Sequence, residues 1–236
     1  MESTASHPVV DRNAWLAARA DLLAQEKAFT VARDALSAKR RAMPWVRVDK
    51  PYRFVGAKGA TTLAGLFEDR RQLALWHFMF APDWESPCKS CSFWADGYDG
   101  VAEHLAHRDT TLVATSRAPY EKLARTAQRM GWTFPWVSCE DDFAQDFGVA
   151  FSPETIASGE VEYNYRKAPI RMSDLPGFSA FLREGEVVYH TYSTYARGLD
   201  MMNVAYQMLD LTALGRQESE SNPMSWLRRR GEYEAG

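Results

Sequence analysis

Cysteine is scarce in this chain: three residues among 236. So few thiols exclude a disulfide-stapled framework, and their odd number leaves one over. Long hydrophobic runs are missing as well. The most apolar stretch, "LALWHFMFAP" from Leu73, is about half of what a membrane-spanning helix needs. The opening "MESTASHPVV" has no basic start leading into an apolar segment, so no secretory leader is expected. Nor is one sign of charge in excess. With 28 basic and 31 acidic residues the net charge is -3, which gives no electrostatic case for nucleic acid or an anionic membrane. The short clusters Lys39-Arg40-Arg41 and Arg228-Arg229-Arg230 read as solvated faces or helix ends. Internal repeats and low-complexity segments are absent.

What is present suits a globular chain with one generous domain, or a domain with an appendage: 46% hydrophobic and 25% charged residues. A cytoplasmic, reducing location fits three unframed thiols. There, a C-x-x-C pair is catalytic or metal-binding rather than a structural bridge.

Residues 11–43 read as one helix that Asp11 caps and Pro44 stops, with Trp15, Leu22, Phe29, Leu36 and Met43 recurring every seventh position. Such a helix is roughly 45–50 Å long. Its seven-residue stripe predicts a partner helix, that of a second subunit in a homodimer, with a helix that wraps its own domain as the alternative. Beyond Pro44 the pattern changes. "YRFVG" reads as a short strand, "TTLAGLFEDR" as a helical turn, and residues 72–80 as a strand buried on both faces. A helix over about 88–108, a strand at 110–116, a helix at 118–131 closed by Gly131, and a strand at 133–139 follow. This alternation implies β-α-β units and a parallel sheet. Residues 140–176 are poorly patterned connecting helix and loop. Residues 178–193 form a hairpin turning at Gly185, and 198–215 a closing helix. The order is that of thioredoxin: an α/β, three-layer fold around a mixed sheet. In that order Pro176 falls where a cis-proline faces the dithiol. The expected division is an N-terminal helical extension (1–45), a thioredoxin-like domain (46–215) and a C-terminal tail (216–236).

Cys88 and Cys91, separated by Lys89 and Ser90, stand between the buried strand and the next helix. Exchange chemistry needs one accessible, partly ionised sulfur and a second within bonding distance. At a helix start the first sulfur meets unpaired backbone N–H groups that favour its thiolate. Cys88 would therefore attack and Cys91 resolve, with the Lys89 ammonium lowering the Cys88 pKa further. Trp84 either walls the site or packs within its loop.

Other assignments compete. Cys88, Cys91, His104 and His107 approach a zinc-finger spacing, although the histidine gap is one residue short. If 91–104 is helical, Cys91 and His104 are about 20 Å apart, too far for one tetrahedral site. A peroxidase would want Pro and a hydroxyl where Ala81 and Glu85 stand. A thioredoxin-like scaffold that binds without turnover is the third rival. Cys139 reads as a small core residue or a third redox thiol, and His77 as a hydrogen-bonded core histidine. Asp96 and Asp99 shape a turn rather than a calcium loop. His190, Tyr192, Ser193, Tyr195 and Arg197 make either a buried tyrosine network or a substrate contact.

The segments "LLAQEKAFTVARDALSAKRRAMPWV", "HFMFAPDWESPCKSCSFWADGYDG", "SRAPYEKLARTAQRMGW", "LPGFSAF" and "HTYSTYARGLD" resemble a bacterial family of thioredoxin-like proteins. Its members are labelled predicted dithiol-disulfide oxidoreductases, originally a domain of unknown function. The similarity runs from about residue 8 to 233. It implies a thioredoxin-like fold with the long helix as an integral part, and carries the redox role onto Cys88 and Cys91. It implies no particular substrate. Cys139 and Ala213 depart from the Ser and Pro expected in the family. The resulting expectation is thiol–disulfide exchange at Cys88 and Cys91 with Trp84, Lys89 and Pro176 at the substrate. No cofactor or metal is called for, and the partner is a disulfide-containing protein or small-molecule thiol.

Overall fold

The computed structural model describes residues 7–221 and 223–233. The chain divides into two units, Met1–Pro44 and Trp45–Gly236. The first holds helix α1 (Arg12–Arg41). Asp11 caps it by accepting the Ala14 N–H at 2.9 Å, and Lys39, Arg40 and Arg41 complement the carbonyls of its last turn. No side chain of α1 is buried. Trp15, Leu22, Phe29 and Leu36 keep 47, 50, 67 and 48% of their surface exposed.

The second unit begins with β1 (Val46–Arg47), β2 (Arg53–Gly56), β3 (Gly59–Thr62) and β4 (Gln72–His77). Next come α2 (Lys89–Ala95), α3 (Asp99–Ala106), β5 (Thr110–Ser116), α4 (Tyr120–Met130) and β6 (Trp136–Cys139). Short α5 (Phe143–Asp146) and α6 (Pro153–Ala157) lead to the β7 (Val161–Tyr163) and β8 (Arg166–Ala168) ribbon. The chain then returns through β9 (Gly177–Glu184), β10 (Val187–Tyr195) and α7 (Val204–Leu209).

Eight strands share one mixed sheet in the order β1-β10-β9-β4-β5-β6-β2-β3. β4, β5 and β6 run parallel, and β9 pairs antiparallel with β4, setting His77 opposite Gly177. A parallel β-α-β core extended by an antiparallel hairpin and a closing helix, with a cysteine loop after the central strand, is a thioredoxin-like fold. β4 explains why both faces are covered. Leu73, Leu75 and His77 point to one core with Phe54, Phe143 and Phe181, while Ala74, Trp76 and Phe78 point to the other with Cys91, Trp94 and Leu123.

Gly177 is required where it stands. A Cβ there would lie 2.9 Å from both the Tyr195 ring and Val149 Cγ1. The expected helix over 88–108 is two helices, because Asp96 and Asp99 turn the chain. Asp96 accepts from Trp132 Nε1 at 2.8 Å, and Asp99 accepts the N–H groups of Thr133 and Phe134 at 2.7 and 3.0 Å. The expected helix over 198–215 shrinks to a 3-10 stretch (Ala196–Met202) and α7. Asn203 leaves helical backbone between them and caps α7 through the Tyr206 N–H at 2.9 Å. The peptide before Pro176 is trans, which corrects the expected cis bond. The trans chain already meets its backbone needs there: the Leu175 N–H donates to Val149 at 2.9 Å, and the Pro176 carbonyl accepts from the Tyr163 hydroxyl at 2.7 Å.

Candidate active site

The last residues before the cysteines are held by the sheet. The Phe78 N–H bonds the Thr115 carbonyl, the Ala118 N–H bonds the Phe80 carbonyl, and the Cys88 N–H reaches back to the Met79 carbonyl at 3.1 Å. Phe80 and Ala81 are fully buried, so the loop is anchored by apolar burial before it turns at Pro82. Cys88 is the N-terminal flanking residue of α2 and is half-buried; Cys91, one turn in, is 2% exposed. Its sulfur faces the Met79 N–H at 3.5 Å. Both are free thiols.

Their electrostatics diverge. The Cys88 pKa falls to about 6, chiefly because the Cys91 thiol donates toward its sulfur. Burial opposes that shift, and the N–H groups of Cys91 and Ser90 and the Ser90 hydroxyl reinforce it. Burial, with the same proximity added to it, raises the Cys91 pKa. Neighbouring donors, rather than the Lys89 ammonium expected from the sequence, are the leading causes of the shift at Cys88. Lys89 itself is half-buried in the first turn of α2. The arrangement can hold one sulfur as a thiolate at neutral pH and keep its partner protonated beside it.

Trp84 is half-buried and packs with Cys88 against the core that contains Cys91. Pro176 enters at the same end of the sheet, since it precedes Gly177, the partner of His77 at the end of β4. That loop is fixed by Asp174, whose carboxylate is gripped by Arg117 at 2.9 and 2.6 Å and accepts from Ser173 at 2.8 Å. Asp174 also lies within electrostatic reach of Cys91.

Arg117, Asp174 and Arg229 take partners that the sequence does not reveal. Arg117 and Asp174 stand 57 positions apart with no periodicity linking them. Arg229, expected on a solvated face, donates instead to the Pro87 carbonyl at 2.7 and 3.2 Å. Around it, Leu227 is fully buried and Trp226 meets Phe93 of α2 with ring centroids 5.6 Å apart. The basic triplet is a visible signal; its target is not.

His77 is buried and shares a hydrogen bond of 2.8 Å with Ser179, which continues through Ser193 to His190 at 2.8 and 2.7 Å. Cys139 is buried at the edge of the opposite core, and burial pushes its thiol up to about 11. His104 sits in the last turn of α3 and His107 just beyond it. Among the described residues no three His, Cys, Asp or Glu side chains converge as a metal site. Ala81 is buried and Glu85 exposed. No helix of the described residues is long and apolar enough to cross a membrane.

Fold and cysteine geometry define a thioredoxin-like protein with two adjacent thiols at a helix start. The family model described as "Bacterial protein of unknown function (DUF899)" matches residues 4–233, and the chain belongs to that family. No curated protein matches it. Among solved structures, it is similar to a cysteine-to-serine mutant of peroxiredoxin Q from Xanthomonas campestris, with 15% identity and a TM-score of 0.44 over 69% of this chain and 90% of that one. Peroxidoxin BcpB from Mycobacterium tuberculosis has 16% identity and a TM-score of 0.43, over 70% and 96%. A hypothetical protein from Sinorhizobium meliloti 1021 has 16% identity and a TM-score of 0.38, over 63% and 70%.

Proposed function

We propose that the protein is a thiol–disulfide oxidoreductase in which Cys88 attacks and Cys91 resolves. The Cys88 thiolate displaces one sulfur of a substrate disulfide, which leaves as a thiolate, and a Cys88–substrate mixed disulfide forms. Cys91 then gives up its proton to the departing sulfur and attacks Cys88. The Cys88–Cys91 disulfide closes and the substrate leaves as a dithiol, reduced by two electrons. A second thiol compound returns those electrons to the pair, and the same steps reversed would oxidise a dithiol. The observation that carries the reading is the placement of the two sulfurs: Cys88 half-buried at the start of α2, and Cys91 buried one turn in, facing the Met79 N–H and within hydrogen-bonding reach of Cys88.

Trp84, Lys89 and Pro176 flank the substrate in this reading. Arg117 and Asp174 position the Pro176 loop without touching the reacting sulfurs. Self-association belongs to the same proposal: the exposed stripe of α1 repeats every seven residues, the period that selects a like helix as partner. The partner substrate is a disulfide in a protein or a small molecule.

Equilibration of the purified protein in a graded series of thiol buffers tests the exchange chemistry. Reversible two-electron titration of the 88–91 pair with a single defined potential is expected. Two thiols that never bridge across the series would leave a binding scaffold as the function.

A further inference from the structure

On the far side of the Pro176 loop, a cleft of about 520 Å³ opens between α5, α6 and the β7–β8 ribbon. Its walls are aromatic. Tyr163 and Tyr165 each meet Tyr195 with ring centroids 5.5 and 5.6 Å apart at 62° and 69°, and Phe151 meets Tyr163 edge-on at 90°. The hydroxyls are engaged by backbone carbonyls: Tyr163 donates to Pro176 at 2.7 Å, Tyr165 to Ser193 at 3.1 Å, Tyr195 to Phe147 at 3.0 Å. Ring surface rather than hydroxyl groups is therefore what the three tyrosines offer a guest.

The charged lining has one sign. Asp146 and Glu162 contribute carboxylates, and among the described residues no Lys, Arg or His lines the cleft. Asp146 is partly balanced by Lys50 at 2.6 Å, whereas Glu162 makes no ion pair among the described residues. Lys167, opposite Glu162 in the ribbon, is engaged by Glu160 at 2.6 Å.

The backbone adds an independent observation. Asn164 and Tyr165 turn the ribbon with φ of 53° and 61°, and Ala196, beside Tyr195, has φ of 49°. Glycine is the relaxed residue at the second of two left-handed turn positions. A tyrosine there carries a strain of order 1–2 kcal/mol. That strain holds a ring that is 72% exposed at the cleft mouth. The Tyr195 ring and the Ser193 carbonyl hold Tyr165 in that conformation, and most of its ring surface stays open to a ligand.

We infer that this cleft binds an organic cation, a quaternary ammonium or a Lys or Arg side-chain cation, held against the rings of Tyr163 and Tyr165 with the carboxylates of Glu162 and Asp146 at its edge. Cation attraction to ring faces with carboxylates nearby is the chemistry of such recognition. The inference is independent of the dithiol reading, although the Tyr163 hydroxyl links the cleft floor to Pro176.

The test is a titration of protein carrying ¹³C-labelled tyrosine rings, followed by NMR, with three probes: choline, its uncharged carbon isostere 3,3-dimethyl-1-butanol, and a short lysine- and arginine-bearing peptide. Saturable shifts of a subset of tyrosine signals are expected with a cation and at least about fivefold weaker binding of the isostere. Choline alone would assign a free quaternary ammonium ligand; the peptide alone would assign a basic segment of a macromolecule. Tyr165→Gly relaxes the turn, so it should fold and lose at least about fivefold in affinity. Glu162→Gln alters an exposed residue, should leave the fold intact, and should weaken binding of the same cation about threefold or more. No saturable shift with either cation, equal binding of the isostere, or unchanged affinity in both variants overturns the inference.

Discussion

Arg229 donates two hydrogen bonds, of 2.7 and 3.2 Å, to the carbonyl of Pro87, the residue that precedes the nucleophilic candidate Cys88. The guanidinium is itself steadied by Glu232 at 3.1 and 3.2 Å. The peptide between Pro87 and Cys88 is thus held on both sides, its carbonyl by the C-terminal segment and its N–H by the Met79 carbonyl. Arg229→Met leaves the buried Pro87 acceptor without its charged donor and should lower stability by about 1–3 kcal/mol. Loss of the donor alignment at Cys88 should move its pKa up from about 6. Urea unfolding and pH-dependent alkylation measure the two effects, and Arg229→Lys should restore part of each.

The pair Arg117 and Asp174 governs the opposite wall. The Asp174 side chain is 6% exposed and that of Arg117 23%, so either partner left alone is a poorly solvated charge. Arg117→Met or Asp174→Leu should each cost about 3 kcal/mol. The double replacement should cost less than the sum of the two, which denaturant titration of the four proteins resolves.

His77 makes the fold sensitive to acid. Burial lowers its pKa from 6.5 to about 3, so the native state holds it neutral. Below about pH 6.5 the unfolded chain binds a proton that the folded chain refuses. This contribution to stability is therefore complete above the unfolded value and is lost as pH falls toward the folded one, by ~1.4 kcal/mol per unit. His77→Gln, which can keep the Ser179 contact, should flatten that slope in thermal unfolding between about pH 7 and 5.

β4 is legible in the sequence as a continuous apolar run, and β5, α4 and the hairpin because each lies between clear stops, as with Gly131, whose φ of 69° ends α4. The cysteine pair is legible because a buried strand announces it. The β7–β8 ribbon is not: three-residue strands have no period to detect, and the left-handed Tyr165 violates the composition by which turns are recognised. The division of α2 from α3 is hidden too, since its cause is a set of hydrogen bonds from Trp132, Thr133 and Phe134, between 34 and 36 positions away. The roles of Asp174, Arg117 and Arg229 are invisible for the same reason: long-range partners leave no local pattern.

The exposed stripe on α1 leads to a prediction about assembly. Phe29→Glu, or Leu22→Glu with Phe29→Glu, places charge in the seam and should shift the protein from twice the single-chain mass to the single-chain mass in sedimentation equilibrium. Spectra of the thioredoxin-like unit should not change. A wild-type protein at single-chain mass up to high concentration would remove the helix-pairing proposal.

The reactivity of the reduced thiols toward iodoacetamide, followed from about pH 4 to 10 with mass-spectrometric assignment of the labelled residue, tests the central claim most directly. Cys88 should react first with a midpoint at about 6, while Cys91 and Cys139 stay unlabelled until the chain unfolds. A Cys88 midpoint at the ordinary thiol value, or labelling of Cys91 ahead of Cys88, would contradict the assignment of attacking and resolving sulfurs.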